Sequence, residues 1–387
     1  MALTKIELID LINKEDLPSL SSFSSLPEVK RLRPYLPSRN SLRPSFSHGE
    51  GSHGFMPDIS TQKKLGTFLE ITPFEKEQLG TVGLDLRVGK LIAWSDTVSD
   101  NVCYNDLFSM EHKFLQEGEK FVLDSNEDGE KVYYITSFEK VDFSNNLEMM
   151  VDSKSTTGRV GGMSHGVGKS KEGYLITIVQ PYAFPLKVEC GKTKLSQAIF
   201  RYKRTPYMTN EEILNSNEIS FKGKGISLEK SLTPKGLLMR FDTGLAYRAK
   251  KCDKPINMDA KGTIEWGDYF EAIEGNHSLT LDKKTLYLLG SLGVIGLGRA
   301  CGVLSREQEV LTGAGAWGHF AGIFQPGFVG GITMEFYSHS KRKISRGDKA
   351  GVVLFDEVES DKTPLSYQQL GSYQGQKTPT LPKMFKV

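Results

Sequence analysis

Ala321-Gly-Ile-Phe-Gln-Pro-Gly-Phe-Val-Gly-Gly-Ile-Thr-Met-Glu335 is the stretch on which the reading of this chain turns. A Pro326-Gly327 turn leads into a short β-type run that carries one carboxylate, Glu335. Its neighbours Ile332, Met334 and Phe336 are apolar. A lone acid in such company is expected to be partly desolvated. That raises its pKa and suits it to proton transfer. A solvated Glu on an edge strand is the ordinary alternative. Two distant segments weigh against it: Ser153-Lys-Ser-Thr-Thr-Gly-Arg159 and Tyr373-Gln-Gly-Gln376.

Working outward, the pattern is that of a β protein. Short apolar-alternating runs separated by turn residues begin near Gly66. They include Leu84-Asp-Leu-Arg-Val, Lys120-Phe-Val-Leu, Val132-Tyr-Tyr-Ile-Thr, Leu175-Ile-Thr-Ile-Val and Ala198-Ile-Phe-Arg-Tyr. They resume with Leu237-Leu-Met-Arg-Phe, Leu279-Thr-Leu, Thr285-Leu-Tyr-Leu-Leu, Ile332-Thr-Met-Glu-Phe and Val352-Val-Leu-Phe. Gly89 and Gly244, Phe200 and Phe355, and Asp124 and Asp282 recur in order at an offset of about 155 residues, the mark of two copies of one β-domain. A connector falls near Thr205–Ser231, with a short helical patch at Thr209-Asn-Glu-Glu-Ile-Leu. The expected division is an N-terminal helix and Ser/Pro-rich loop (1–60), a first β-domain (61–205), the connector (206–231), a second β-domain (232–360) and a tail (361–387). Within the first segment, residues 3–14 read as an amphipathic helix and 17–59 as a loop with little to bury.

Composition bounds the rest. The chain has 387 residues, 38% hydrophobic and 25% charged, with 49 basic residues against 47 acidic ones for a net charge of +2. That balance gives no strong field, so neither nucleic acid nor an anionic membrane is expected as the main partner. There is no apolar run of spanning length and no signal-peptide pattern at Met1. Cys103, Cys190, Cys252 and Cys301 are scattered without a CxxC pair, as in a reduced cytoplasmic protein. The zinc-deaminase signature, His-x-Glu followed by Pro-Cys-x-x-Cys, is absent.

Residues 153–159 offer four hydroxyls and two cations around one glycine. Such a set suits phosphate oxygens, or makes a polar surface turn. It is not a Walker A loop, and Gly166-Val-Gly-Lys-Ser170 has the wrong glycine spacing for one.

Together these segments resemble the dCTP deaminase family of the dUTPase superfamily. Ser155-Thr156-x2-Arg159-x5-His165 is similar to its Ser-Ser-x-x-Arg-x5-His segment. Pro326-Gly327-Phe-x-Gly330-x4-Glu335 is similar to the segment carrying its catalytic Glu. Gly191-x3-Leu-Ser-Gln197, Leu84-Asp-Leu-Arg87 and Tyr373-Gln-Gly-Gln376 resemble its Gln strand, its early Asp-Leu-Arg strand and its closing tail. The likeness runs over about residues 60–376, and is nearest to the long, duplicated form.

The resemblance implies a mainly β fold: tandem dUTPase-like distorted β-barrel or jelly-roll domains with few short helices. It implies metal-free deamination of dCTP, or of a modified cytosine deoxynucleotide, with Glu335 as catalytic acid and base. Lys154, Ser155, Thr156, Arg159, Gln197, Ala321, Gln325, Tyr373 and Gln376 would bind substrate. Mg2+ would be carried by the triphosphate, with no zinc. The partner implied is a deoxynucleoside triphosphate, and the assembly a homo-oligomer. His165 reads equally as structural or catalytic.

The motifs are shared between the copies. The first holds Ser155, Arg159 and Gln197, but no carboxylate near Ile178–Gln180. The second holds Glu335, has a degraded Leu304-Ser-Arg-Glu-Gln308 in place of the Ser/Arg segment, and has Val352 in place of the Gln. Gln325 stands where the family has Asp. Since Gln is no base, this weakens the alternative of dUTP pyrophosphate release. A nucleotide-sensing paralogue without turnover is the third reading.

Overall fold

The computed structural model describes residues 69–80, 82–99, 102–125, 131–223, 225–305, 316–318, 321–358 and 373–386. The expected helix at 3–14, the loop at 17–59 and the tail before Tyr373 lie outside the described residues, as do the last three residues of Leu304-Ser-Arg-Glu-Gln308. The described part is mainly β with a few short helices, as expected. No described helix is long and apolar enough to cross a membrane.

In the first half, strands Val132–Phe143, Tyr174–Pro181, Gly162–Lys169, Leu147–Ser153, Lys194–Tyr202 and Gly83–Ser95 pair in that order. Gly83–Ser95 also pairs back to Val132–Phe143, which closes the sheet into a six-stranded barrel. Leu69–Thr72 and Glu111–Phe114 lie on its flanks.

The second half repeats this pairing. Strands Ala316–Gly318, Val329–Ser338, Thr285–Leu297, Gly236–Ala249, Lys349–Glu357 and Ala300–Ser305 follow one another. The sequence repeats sit at matching points. Gly89 and Gly244 each lie where the long strand slips register, between Val88 and Ile92 in one half and between Asp242 and Ala246 in the other. The Tyr133 hydroxyl accepts from Asp124 N–H at 2.8 Å, and the Tyr287 hydroxyl accepts from Asp282 N–H at 2.9 Å. The patch after Thr209 is helical over Asn210–Asn215, capped by the Thr209 hydroxyl.

The two halves share a core. Ile92, Tyr133, Val179, Phe184 and Leu186 of the first half pack in one cluster with Ile256, Phe270, Leu288 and Tyr337 of the second. Leu381, Met384 and Phe385 of the tail join it, and Phe385–Lys386 adds a parallel pairing to Ile264–Glu265. A second cluster, with Phe241, Leu289, Met334, Phe336 and Phe355, fills the second half alone. Burial against the shared cluster fixes how the halves face each other, and the candidate site lies at that junction.

Candidate active site

Two local structures aim the key groups. In the second half, Pro326-Gly327 makes the expected turn. Phe328 N–H bonds to the Gln325 carbonyl at 3.1 Å, and Gly327 has φ of 84°, a left-handed conformation that favours glycine. The strand Val329–Ser338 follows. Alternation along it sends Ile332, Met334 and Phe336 into the second-half core, and Glu335 with Tyr337 to the opposite face, toward the first half. In the first half, the strand Leu147–Ser153 ends in a five-residue helix, Ser155–Arg159, whose last side chain turns toward Glu335.

Glu335 is only 2% exposed. Burial raises its pKa to about 7, against the opposing pull of Arg159, whose Nε lies 3.8 Å from Oε1. The Ala321 backbone N–H also favours the ionised form, and Asp152 disfavours it. Sequence reasoning ascribed the desolvation to the apolar flanks of Glu335. Met334 and Phe336 in fact face the other way, and the carboxyl is enclosed by Ser155 and Arg159 of the first half, Ala321 of the second and Tyr373 of the tail. Among the described residues Glu335 Oε2 is buried with no hydrogen-bond partner, a condition that calls for an explanation such as a catalytic role or a bound water.

Arg159, 3% exposed, is held on every side. Its guanidinium carbon lies 3.5 Å from the centre of the Tyr373 ring. Nη1 donates to the Thr380 carbonyl at 3.1 Å and to its hydroxyl, and Nη2 to Gln376 Oε1 at 3.4 Å. The Thr156 hydroxyl meets the Tyr373 hydroxyl at 3.1 Å. Gln376 in turn bonds to the Gly331 carbonyl.

Gly158 lets these pieces close up. A Cβ there would lie 3.1 Å from Ala321 Cβ, 3.2 Å from Ala321 N and 3.3 Å from the Glu335 carboxyl carbon. Ser155, Arg159, Ala321, Gln325, Glu335, Tyr373 and Gln376 all line one small cavity here. It offers about 30 Å³ to the centres of water-sized molecules.

Gln197 is near the same place, with its amide oxygen 3.4 Å from Gln325 Nε2. Lys154 instead bonds to Asp85, beside Lys194 at 3.7 Å from that carboxylate. His165 stands on the strand next to the site, opposite Asp152. Sequence reasoning missed Asp152, which accepts Gly322 N–H at 2.9 Å, and Thr380. Asp152 directly precedes the Ser153–Arg159 segment, the one cue that points to it. Thr380 lies beyond the tail motif and carries no cue.

The register also identifies the first-half position that corresponds to Glu335. Glu335 pairs with Leu288, next to Tyr287; the matching partner of Tyr134, next to Tyr133, is Ile178. Glu335 of the second half and Arg159 of the first meet within a single chain.

These features define a mainly β protein built of two similar halves, with a buried carboxylate of raised pKa at their junction. Residues 56–201 match the dCTP deaminase-like family model, and residues 203–379 match that of the 2'-deoxycytidine 5'-triphosphate deaminase C-terminal domain. The chain belongs to the dCTP deaminase family, in its two-domain form. The crystal structure of 2'-deoxycytidine 5'-triphosphate deaminase from Agrobacterium tumefaciens is similar in fold. It has a TM-score of 0.64 at 19% identity, with 78% of this chain and 95% of that chain covered. A search of curated proteins gave no match.

Proposed function

We propose that this chain deaminates dCTP to dUTP and ammonia, with Glu335 moving the protons. The observation that carries the reading is the buried carboxylate poised near neutrality beside Arg159. A group with pKa about 7 can serve as base and then as acid at neutral pH. As carboxylate, Glu335 takes a proton from water as the water oxygen bonds to C4 of the cytosine ring. It delivers that proton to N3, takes the second proton of the water-derived oxygen, and gives it to the amino group. The C4–N bond breaks and ammonia leaves, so dCTP and water become dUTP and ammonia.

Ala321 would hold the pyrimidine edge, and Ser155, Thr156 and Arg159 the phosphate chain. Lys154, Lys194 and Lys383 crowd about one carboxylate, Asp85. That surplus of cations supports a polyphosphate ligand. Among the described residues no group of three or more His, Cys, Asp or Glu side chains could hold a metal ion. Mg2+ fits as a companion of the substrate, ligated by phosphate oxygens and water. Tyr373 and Gln376 would close over the bound nucleotide. The cavity as it stands has room for one or two waters, so nucleotide entry requires the tail contacts to Arg159 to open. A deaminase of free nucleotides would work in the cytoplasm, where its substrate pool is. A homo-oligomer fits the family resemblance, but Arg159 and Glu335 need no second chain to meet.

Incubation with dCTP and Mg2+ tests the reading: dUTP and ammonia should appear in equal amounts. Release of pyrophosphate without ammonia would assign the dUTPase-type reaction instead. Nucleotide binding without either product would leave a sensor.

A further inference from the structure

We infer that Asp152 is a positioning residue for deamination, which holds the Gly322 peptide so that the Ala321 backbone stays against the Glu335 carboxyl. The inference rests on the deaminase reading of the site. Asp152 ends the strand Leu147–Ser153 of the first half, and Gly322 belongs to the second. Yet Asp152 Oδ2 accepts Gly322 N–H at 2.9 Å with the carboxylate only 5% exposed. Its other oxygen, Oδ1, accepts Ser153 N–H at 2.8 Å.

Gly322 is thereby held from both halves, through the peptide groups on either side of its Cα. Its carbonyl accepts Leu304 N–H at 2.7 Å, within the second half. A Cβ on Gly322 would stand 3.2 Å from Asp152 Oδ2 and 3.3 Å from Leu304 Cβ, so the segment is wedged between the two anchors. Ala321, one residue before, is the backbone that meets both Gly158 and Glu335. A buried charge-assisted bond to a backbone N–H fixes a peptide more firmly than a neutral one. Displacement of that peptide would carry the Ala321 N–H away from the reacting centre, where small errors of position are costly.

Asp152 also acts through charge, because its negative field raises the Glu335 pKa. Among the described residues, the titratable and charged groups facing this cluster are Arg159 from the short helix, Glu335 from its strand, His165 directly across from Asp152, and Tyr373 from the tail.

The test compares Asp152→Asn with Asp152→Ala in the full chain. Asparagine keeps an oxygen for Gly322 N–H and removes the charge; alanine removes both. The expected result is that Asp152→Asn keeps kcat within about fivefold while its acid limb moves to lower pH, and that Asp152→Ala loses about 10- to 100-fold in kcat with KM little changed. Equal losses in the two variants, no loss in either, or a loss confined to KM would overturn the inference. An alanine variant that does not fold leaves the asparagine variant decisive: an unmoved acid limb, or a collapse of kcat, overturns it. Two readouts need no turnover, so they separate this inference from the deaminase reading. They are the infrared titration of the Glu335 carboxyl, expected to shift down in Asp152→Asn, and hydrogen exchange at residues 321–324, expected to stay slow there.

Discussion

Arg159 Nε and Glu335 Oε1 lie 3.8 Å apart, one from each half of a duplicated chain. The cation lowers the pKa of an acid that burial has raised, so the pair sets the pH at which the site can act as base. Activity should therefore rise with pH through a midpoint near 7. Arg159→Ala removes the opposing cation and should move that midpoint to higher pH. It should also raise KM for the nucleotide. A pH–rate profile of parent and variant checks both effects; an unmoved midpoint would mean that Arg159 has no hold on Glu335.

Stability should carry the same signature. The folded-state pKa of Glu335, about 7, exceeds the ordinary value of 4.5. The native state therefore keeps a proton that the unfolded chain releases. Stability from this group is fully present below pH 4.5 and is lost as pH rises through 7. Glu335→Gln cannot ionise, so its advantage over the parent should be near zero at low pH and grow to at most about 3 kcal/mol above neutrality. Denaturant titrations at a series of pH values would show a flat difference if the acid had an ordinary pKa.

Gly158 allows the short helix to touch Ala321 and the Glu335 carboxyl. Gly158→Val should push Ala321 away and lower kcat by about tenfold or more. The added bulk should also cost about 1–3 kcal/mol of stability, so activity is to be read where the variant is fully folded. Steady-state kinetics beside a melting curve separates the two.

The tail is more than a flap. Phe385 is 2% exposed in the core that joins the halves. Phe385→Ala should cost about 3–5 kcal/mol, whereas Tyr373→Phe should leave stability close to the parent and weaken nucleotide binding. A denaturation curve distinguishes a core anchor from a loose lid, for which Phe385→Ala would cost little.

Much of this was legible in the chain. Alternation showed the strands, and the repeated Gly89 and Gly244 marked two copies of one β-domain; that both sit at register slips is visible only in the pairing. The Pro326-Gly327 turn and the absence of a carboxylate near Ile178–Gln180 were also readable, because they are local. What lay beyond the sequence was contact between segments far apart. The apolar neighbours Met334 and Phe336 were visible, but strand alternation turns them away, and the groups around the carboxyl come from distant segments of both halves and from the tail. Asp152 and Thr380 carry ordinary residue types, and only the meeting of the halves gives them partners. Lys154 matched a motif position, yet Asp85, an acid from a distant strand, holds it.

The central claim is that Glu335 performs the proton transfers. Glu335→Gln keeps shape and removes the base, so deamination of dCTP should fall by about 10²- to 10⁴-fold while nucleotide affinity, measured by calorimetry, stays within a few-fold. Retention of ammonia release by that variant at the parent's rate would contradict the account.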